Sequence, residues 1–155
     1  PGPHHMNAVL TLIDRRGEAR SFHIDRADSA SIEPIVRENI AREATLYTDD
    51  APYYGPIKRI RSLKHDSVNH RKEEYARGIV HTNTVEGYFS VFKRGMRGVY
   101  QHCSEKHLHR YLAEFDFRYS NRVALGVDDA ERATRAVKGV IGKRLTYRTT
   151  SDRTK

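Results

Sequence analysis

With 155 residues the chain is the size of one domain and long enough to bury a real core. Lys and Arg number 28 against 20 Asp and Glu, a net charge of +8, which favours a polyanionic partner, nucleic acid foremost, over a merely soluble basic protein. A single cysteine, Cys103, excludes an internal disulfide, and no apolar run approaches the roughly 20 residues of a membrane-spanning helix; with no signal peptide visible, the expected location is the cytoplasm, nucleoid-associated if DNA is the partner.

Residues 1–6 (Pro-Gly-Pro-His-His-Met) read as a loop or a cloning remnant. Ala8 to Ile13 is a short apolar run, Asp14-Arg15-Arg16-Gly17 a turn, and Ala19 to Ile24 resumes with Phe22 and Ile24 alternating, which is a β-hairpin pattern. Asp28 to Ser31 can cap a helix with Pro34 in its first turn and Ile32, Ile35, Val36 and Ile40 on its apolar stripe. Thr45 to Thr48 reads as a buried strand ending at Asp49-Asp50, and Ala51 to Pro56 as a loop. Residues 58–77 form a basic stretch, with Lys58, Arg59, Arg61 and Lys64 at its head and a short strand expected at Ser67 to His70. A helix follows at about 84–94, then a turn bracketed by Gly95 and Gly98. Ser104 is placed to cap a further helix whose stripe is Leu108, Tyr111, Leu112, Phe115 and Tyr119. The last helix is expected from Asp128 to about Ile141, leading into a basic tail that is either a frayed end or an arm that tracks phosphates. The order strand, strand, helix, strand, basic loop, helix, helix, helix indicates an α/β or α+β fold.

The segment from His81 to Gly95 is the most informative. Val85, Tyr88, Phe89 and Phe92 recur at helical spacing and face a core. Glu86 and Lys93 stand seven apart, on nearly one line two turns along, at the border of that edge. Two readings of the carboxylate stand side by side. Asn83-x-x-Glu86 matches a capping box with Asn83 as N-cap, and Gly95 would then stop the helix. Alternatively Glu86 holds a metal and Lys93 touches a phosphate. Asp49 at the carboxyl end of a strand suits a metal site on an open sheet, where ligands generally bind, and is otherwise a turn carboxylate. His65, His70 and His81 lack cysteines at finger spacing, so zinc is not indicated.

The block from Val80 through Gly95 resembles the signature of bacterial insertion-sequence transposases of the ISXO-two-like type. The similarity continues through Tyr100-Gln101-His102, Lys106 to Leu112 and Glu114 to Arg122. Leu46 to Asp49, Val68-Asn69-His70, Lys138-Gly139-Val140 and Gly142 to Tyr147 fit as well. The resemblance implies a DDE recombinase with a ribonuclease-H-like mixed sheet flanked by helices, spanning residues 7–147 and followed by a basic tail at 148–155. It implies two Mg²⁺ or Mn²⁺ ions held by three acids for DNA cleavage and strand transfer at insertion-sequence ends and target. It maps the second acid onto Asp49 and the third onto Glu86, and assigns polar roles to Asn83, Lys93 and His102. The first acid belongs to an upstream strand that has no counterpart here, so the chain is expected to lack the first catalytic strand and to have little activity alone.

DNA contacts are expected at Lys58, Arg59, Arg61, Lys64, Lys93, Arg94, Lys143 and Arg144, each with a solvated surface charge as its plainer reading. The resemblance also implies a homo-oligomer and no membrane. A non-catalytic DNA-binding or assembly module with the same fold is the alternative, and a nuclease that hydrolyses DNA without joining ends is a third.

Overall fold

The computed structural model describes residues 7–59, 63–68, 76–77, 80–81, 83–101 and 103–143. They fall into two units, residues 1–120 and 121–155. The fold is mixed α and β, as the order of elements indicated.

Unit 1 begins with the expected hairpin. Strands β1 (Ala8–Ile13) and β2 (Ala19–Ile24) pair antiparallel, Ala8 opposite Ile24 and Ile13 opposite Ala19. The turn closes because Gly17 adopts a φ of 91° and the Asp14 carboxylate accepts the Glu18 amide at 2.9 Å. Period-two alternation sends the strands' side chains to opposite faces. Leu10 and Ile24, with Ala8 and Phe22, join one core cluster; Val9, Ile13 and Ala19 pack on another.

Helix α1 (Ser29–Asn39) covers the first face, burying Ile32 and Val36. Its N-cap is Asp28, whose side chain accepts the Ser31 amide at 2.9 Å. That cap puts Pro34 at the sixth helical residue, one turn later than expected, on the exposed side. The missing proline N–H therefore costs a bond to the carbonyl of Ala30, which is itself exposed and can be met by water.

Strands β3 (Thr45–Asp49) and β4 (Lys64–Val68) pair in parallel, Thr45 with Lys64 and Asp49 with Val68. A parallel pair needs a crossover. The span expected to be loop at 51–56 is part of it, as a 3-10 helix over Pro52–Arg59 held by the fully buried Ile57. The strand expected at 67–70 begins instead at Lys64, in register with β3; residues 69 and 70 lie outside the described part. Short strands β5 (Ala76–Arg77) and β6 (Val80–His81) pair antiparallel, and β6 lies against both β3 and β4. Among the described residues, the β1 edge away from β2 and the β3 edge away from β4 carry no strand.

Helix α2 spans Asn83–Gly95 and does not stop there: the chain runs on as a π-helical turn over Met96–Tyr100. Gly95 keeps helical backbone angles, so the expected glycine stop and the Gly95–Gly98 turn are both replaced by continued helix. The glycine serves close approach instead, since a Cβ at 95 would run into the Phe115 ring. Helix α3 (Leu108–Ser120) buries Leu108, Leu112 and Phe115 against Tyr88 and Phe92 of α2. The rings of Phe92 and Phe115 meet edge to face at 5.1 Å between centroids. Ser104 does precede this region, but it caps a 3-10 turn over Glu105–His107 through its carbonyl, not its hydroxyl.

Helix α3 also seals the outer edge of β2. Ser120 Oγ accepts the Ala19 amide at 2.9 Å and Asp116 accepts the Ser21 amide at 2.7 Å. Four residues of helix rise about 6 Å and two residues of strand about 6.8 Å, so the two repeats stay in step.

Unit 2 holds helix α4 (Asp129–Lys138), shorter than expected at both ends. Asp128 is its N-cap, accepting the Glu131 amide at 2.8 Å, and Gly139 follows its last turn.

Candidate functional site

Asp49 is the last residue of β3, half-buried, and its Oδ1 accepts the Ala51 amide at 3.1 Å. That bond turns the chain sharply out of the strand and holds the carboxylate at the strand's carboxyl end. Two tyrosines stand near it, their rings 4.7 Å apart between centroids. Burial first, then Tyr53 and the Asp49 charge, push the Tyr54 hydroxyl well above the ordinary tyrosine range. Tyr53 is raised by burial and by Asp49. Neither tyrosine was singled out from the sequence, although their adjacency to the strand end was the available signal. The preceding Thr48 hydroxyl bonds His65 Nε2 at 2.9 Å across the parallel pair, so His65 is engaged within the sheet.

Glu86 is in the first turn of α2 and exposed. The sequence placed it beside the core edge; in the structure Tyr88 and Phe92 fill that edge and Glu86 turns to solvent. Its helix begins at Asn83, making Asn83 the first helical residue instead of the cap before it, with residue 82 outside the described part. β6 is the link between the two carboxylates: it lies against β3 and β4, and one residue separates it from α2. Among the described residues no three His, Cys, Asp or Glu side chains come together in a group able to hold a metal ion.

Lys93 and Arg94 are exposed in the last turn of α2. They line an open cleft of about 520 Å³ together with Ser90, Arg97 and Gly98. Ser90 and Arg97 were missed in the sequence, where the 90, 93, 94, 97 spacing of one helical face was already legible. Lys64 is exposed at the start of β4, and Lys143 is exposed in unit 2. His102, Arg61 and Arg144 lie outside the described residues, as do the side chains of Lys58 and Arg59 on the 3-10 helix. Cys103 is half-buried, and burial raises its thiol, which fits an inert residue better than a nucleophile. No helix among the described residues is long and apolar enough to cross a membrane.

A mixed α and β unit with an acid at a strand's carboxyl end, a second acid on a following helix and an unpaired basic face is the setting in which the family assignment falls. The chain matches the ISXO2-like transposase domain over residues 2–120 and belongs to that family. It is 31% identical over 114 residues to an uncharacterized protein in transposable element ISH50 of Halobacterium salinarum, covering 71% of this chain and 37% of that protein. It is 24% identical over 98 residues to an uncharacterized transposase-like protein of Haemophilus influenzae, covering 63% of this chain and 77% of the relative. The chain thus spans little more than a third of the Halobacterium protein's length. No solved structure matches it.

Proposed function

We propose that this chain is part of the catalytic domain of a DDE-type transposase, in which Asp49 and Glu86 are two of three carboxylates that hold Mg²⁺ or Mn²⁺ for DNA cleavage and strand transfer. One observation carries the reading. Asp49 ends a strand paired in parallel with β4, and β6, packed on both, passes within two residues into the helix whose first turn bears Glu86.

The donors fit the ions. Both are hard carboxylate oxygens, and Mg²⁺ keeps several waters, so one or two carboxylates per ion suffice. Bound divalent ions would neutralise charge on the phosphate and activate the attacking oxygen. The residues of the chain do the positioning: the Ala51 amide orients Asp49, and the α2 core anchors Tyr88 and Phe92 hold the helix that carries Glu86. Asn83, on the same first turn, and Lys93, two turns on, are the polar groups proposed to meet DNA beside Glu86. A third carboxylate on a strand paired to the β1 or β3 edge would complete a ribonuclease-H-like sheet, from another segment or another copy in a homo-oligomer. Without it, Asp49 and Glu86 alone are expected to support little cleavage.

The second reading is a non-catalytic DNA-binding or assembly module of the same family. It is favoured by the absence, among the described residues, of any three convergent metal ligands. Calorimetric titration with Mn²⁺ separates the two. The catalytic reading expects binding that Asp49→Asn and Glu86→Gln each weaken by tenfold or more. Binding indifferent to both substitutions, or none, leaves the module.

A further inference from the structure

We propose that Ser90, Lys93, Arg94 and Arg97 form one continuous docking track for the phosphate backbone of DNA, running along the outer face of α2 away from Glu86. The inference rests on DNA being the partner and adds two residues, Ser90 and Arg97, to the site.

The geometry is that of a helical stripe. Residues 86, 90, 93 and 97 follow one another at steps of four, three and four, so they stack along one line, with Arg94 beside it. The stripe lies on the side turned away from Tyr88 and Phe92, and its basic members are exposed. From Ser90 to Arg97 it runs about 10 Å. One DNA strand presents a phosphate about every 3.4 Å of axis, so the stripe spans on the order of three phosphates.

The charges themselves call for a ligand. Four of the other helical arginines have a carboxylate one turn away: Arg37 with Glu33 at 2.7 Å, Arg118 with Glu114 at 2.9 Å, Arg132 with Asp129 and Arg135 with Glu131. Among the described residues, Lys93, Arg94 and Arg97 have no ion-pair partner. Lys93 with Arg97 and Arg94 with Arg97 are instead like charges at i,i+4 and i,i+3, each costing the helix about 0.2–0.5 kcal/mol. The helix dipole gives a weak counter-argument. It favours cations only in the final turn; because the chain continues helically to Tyr100, that turn holds Arg97, while Lys93 and Arg94 lie before it. A polyanion lying in the cleft resolves the repulsion, with the Ser90 hydroxyl as an added donor.

The test is fluorescence anisotropy of a labelled DNA duplex with the full chain, titrated with salt between about 50 and 200 mM. Arg94→Gln/Arg97→Gln should lower the salt slope by about two, so that the affinity lost across that range shrinks roughly tenfold. Ser90→Asp, which places a carboxylate in the track, should weaken binding at low salt. Arg37→Gln/Arg118→Gln, which removes equal charge from paired positions, should leave the slope unchanged, and circular dichroism should show all variants folded. An unchanged slope in the Arg94/Arg97 variant, or an equal fall in the Arg37/Arg118 variant, overturns the track while leaving the proposed function standing. A wild-type chain that binds no DNA overturns the track and the DNA-directed function together, and the Mn²⁺ titration then reports on Asp49 and Glu86 separately.

Discussion

Asp116 on α3 accepts the backbone N–H of Ser21 at 2.7 Å and, through its other oxygen, the Ser21 hydroxyl at 2.7 Å. The same oxygen accepts the Tyr88 hydroxyl at 2.7 Å, and Thr11 Oγ1 closes the network on Ser21 Oγ at 2.9 Å. One carboxylate therefore joins the hairpin, α2 and α3. It occupies the edge of β2 that would otherwise present open donors to other strands. It also fixes the rotation of α2, and with it the outward direction of Glu86 and the basic stripe.

Asp116→Ala should be among the most damaging substitutions in unit 1, because it leaves the Ser21 amide without its acceptor and takes the charged acceptor from the Tyr88 and Ser21 hydroxyls, which keep only each other and Thr11. The expected loss is about 2–4 kcal/mol. Tyr88→Phe, which removes one donor and leaves the carboxylate bonded to Ser21, should cost about 1 kcal/mol. Urea unfolding of both variants checks the order; a mild Asp116→Ala would mean α3 docks by its apolar face alone.

Gly95→Ala and Gly87→Ala discriminate between a glycine that ends a helix and one that admits a neighbour. A Cβ at 95 meets the Phe115 ring, whereas at 87 nothing lies within 4 Å. Gly87→Ala should stabilise by up to about 1 kcal/mol through helix propensity. Gly95→Ala should destabilise by about 1–3 kcal/mol in spite of the same gain, through overpacking. Thermal melts showing both variants more stable would remove the close-approach argument.

Ile57 is 0% exposed at the heart of the crossover between β3 and β4. Ile57→Ala should cost about 2–5 kcal/mol. Because the 3-10 helix follows Asp49 directly, the same variant should weaken any Mn²⁺ binding by the chain even under conditions where it stays folded. Retained affinity would show that the Asp49 turn is held by its Ala51 bond alone.

Stability should decline at alkaline pH. Burial leads in raising both Tyr54 and Tyr88; the Tyr53 and Asp49 charges add to Tyr54, and the Asp116 carboxylate adds to Tyr88 against an opposing bond from Ser21. In the unfolded chain these hydroxyls deprotonate near about 10, while the folded chain holds the protons to higher pH. Between those limits the folded state binds more protons, so stability falls as pH rises. Chemical denaturation at about pH 9 and about pH 11 should show the fall. Tyr54→Phe should reduce it, and an unaltered pH dependence in that variant would place the titrating group elsewhere.

Local rules were enough for much of this protein. The hairpin, the Asp28 and Asp128 caps, the strand ending at Asp49 and the apolar stripes of α2 and α3 follow from period, turn chemistry and capping, which act over a few residues. The letters from Val80 to Arg122 carried the family as well. The rest depended on partners distant in the chain. Gly95 looks like a stop until Phe115 arrives against it, and Asp116 looks like a surface acid until the β2 edge presents Ser21. Residues 51–56 look like loop until Ile57 finds the core under α1. Which side of α2 meets solvent, and so whether Glu86 is a core-edge carboxylate or an outward one at the head of a basic stripe, was settled by helix packing, because an amphipathic pattern specifies a buried face but not the neighbours that bound it.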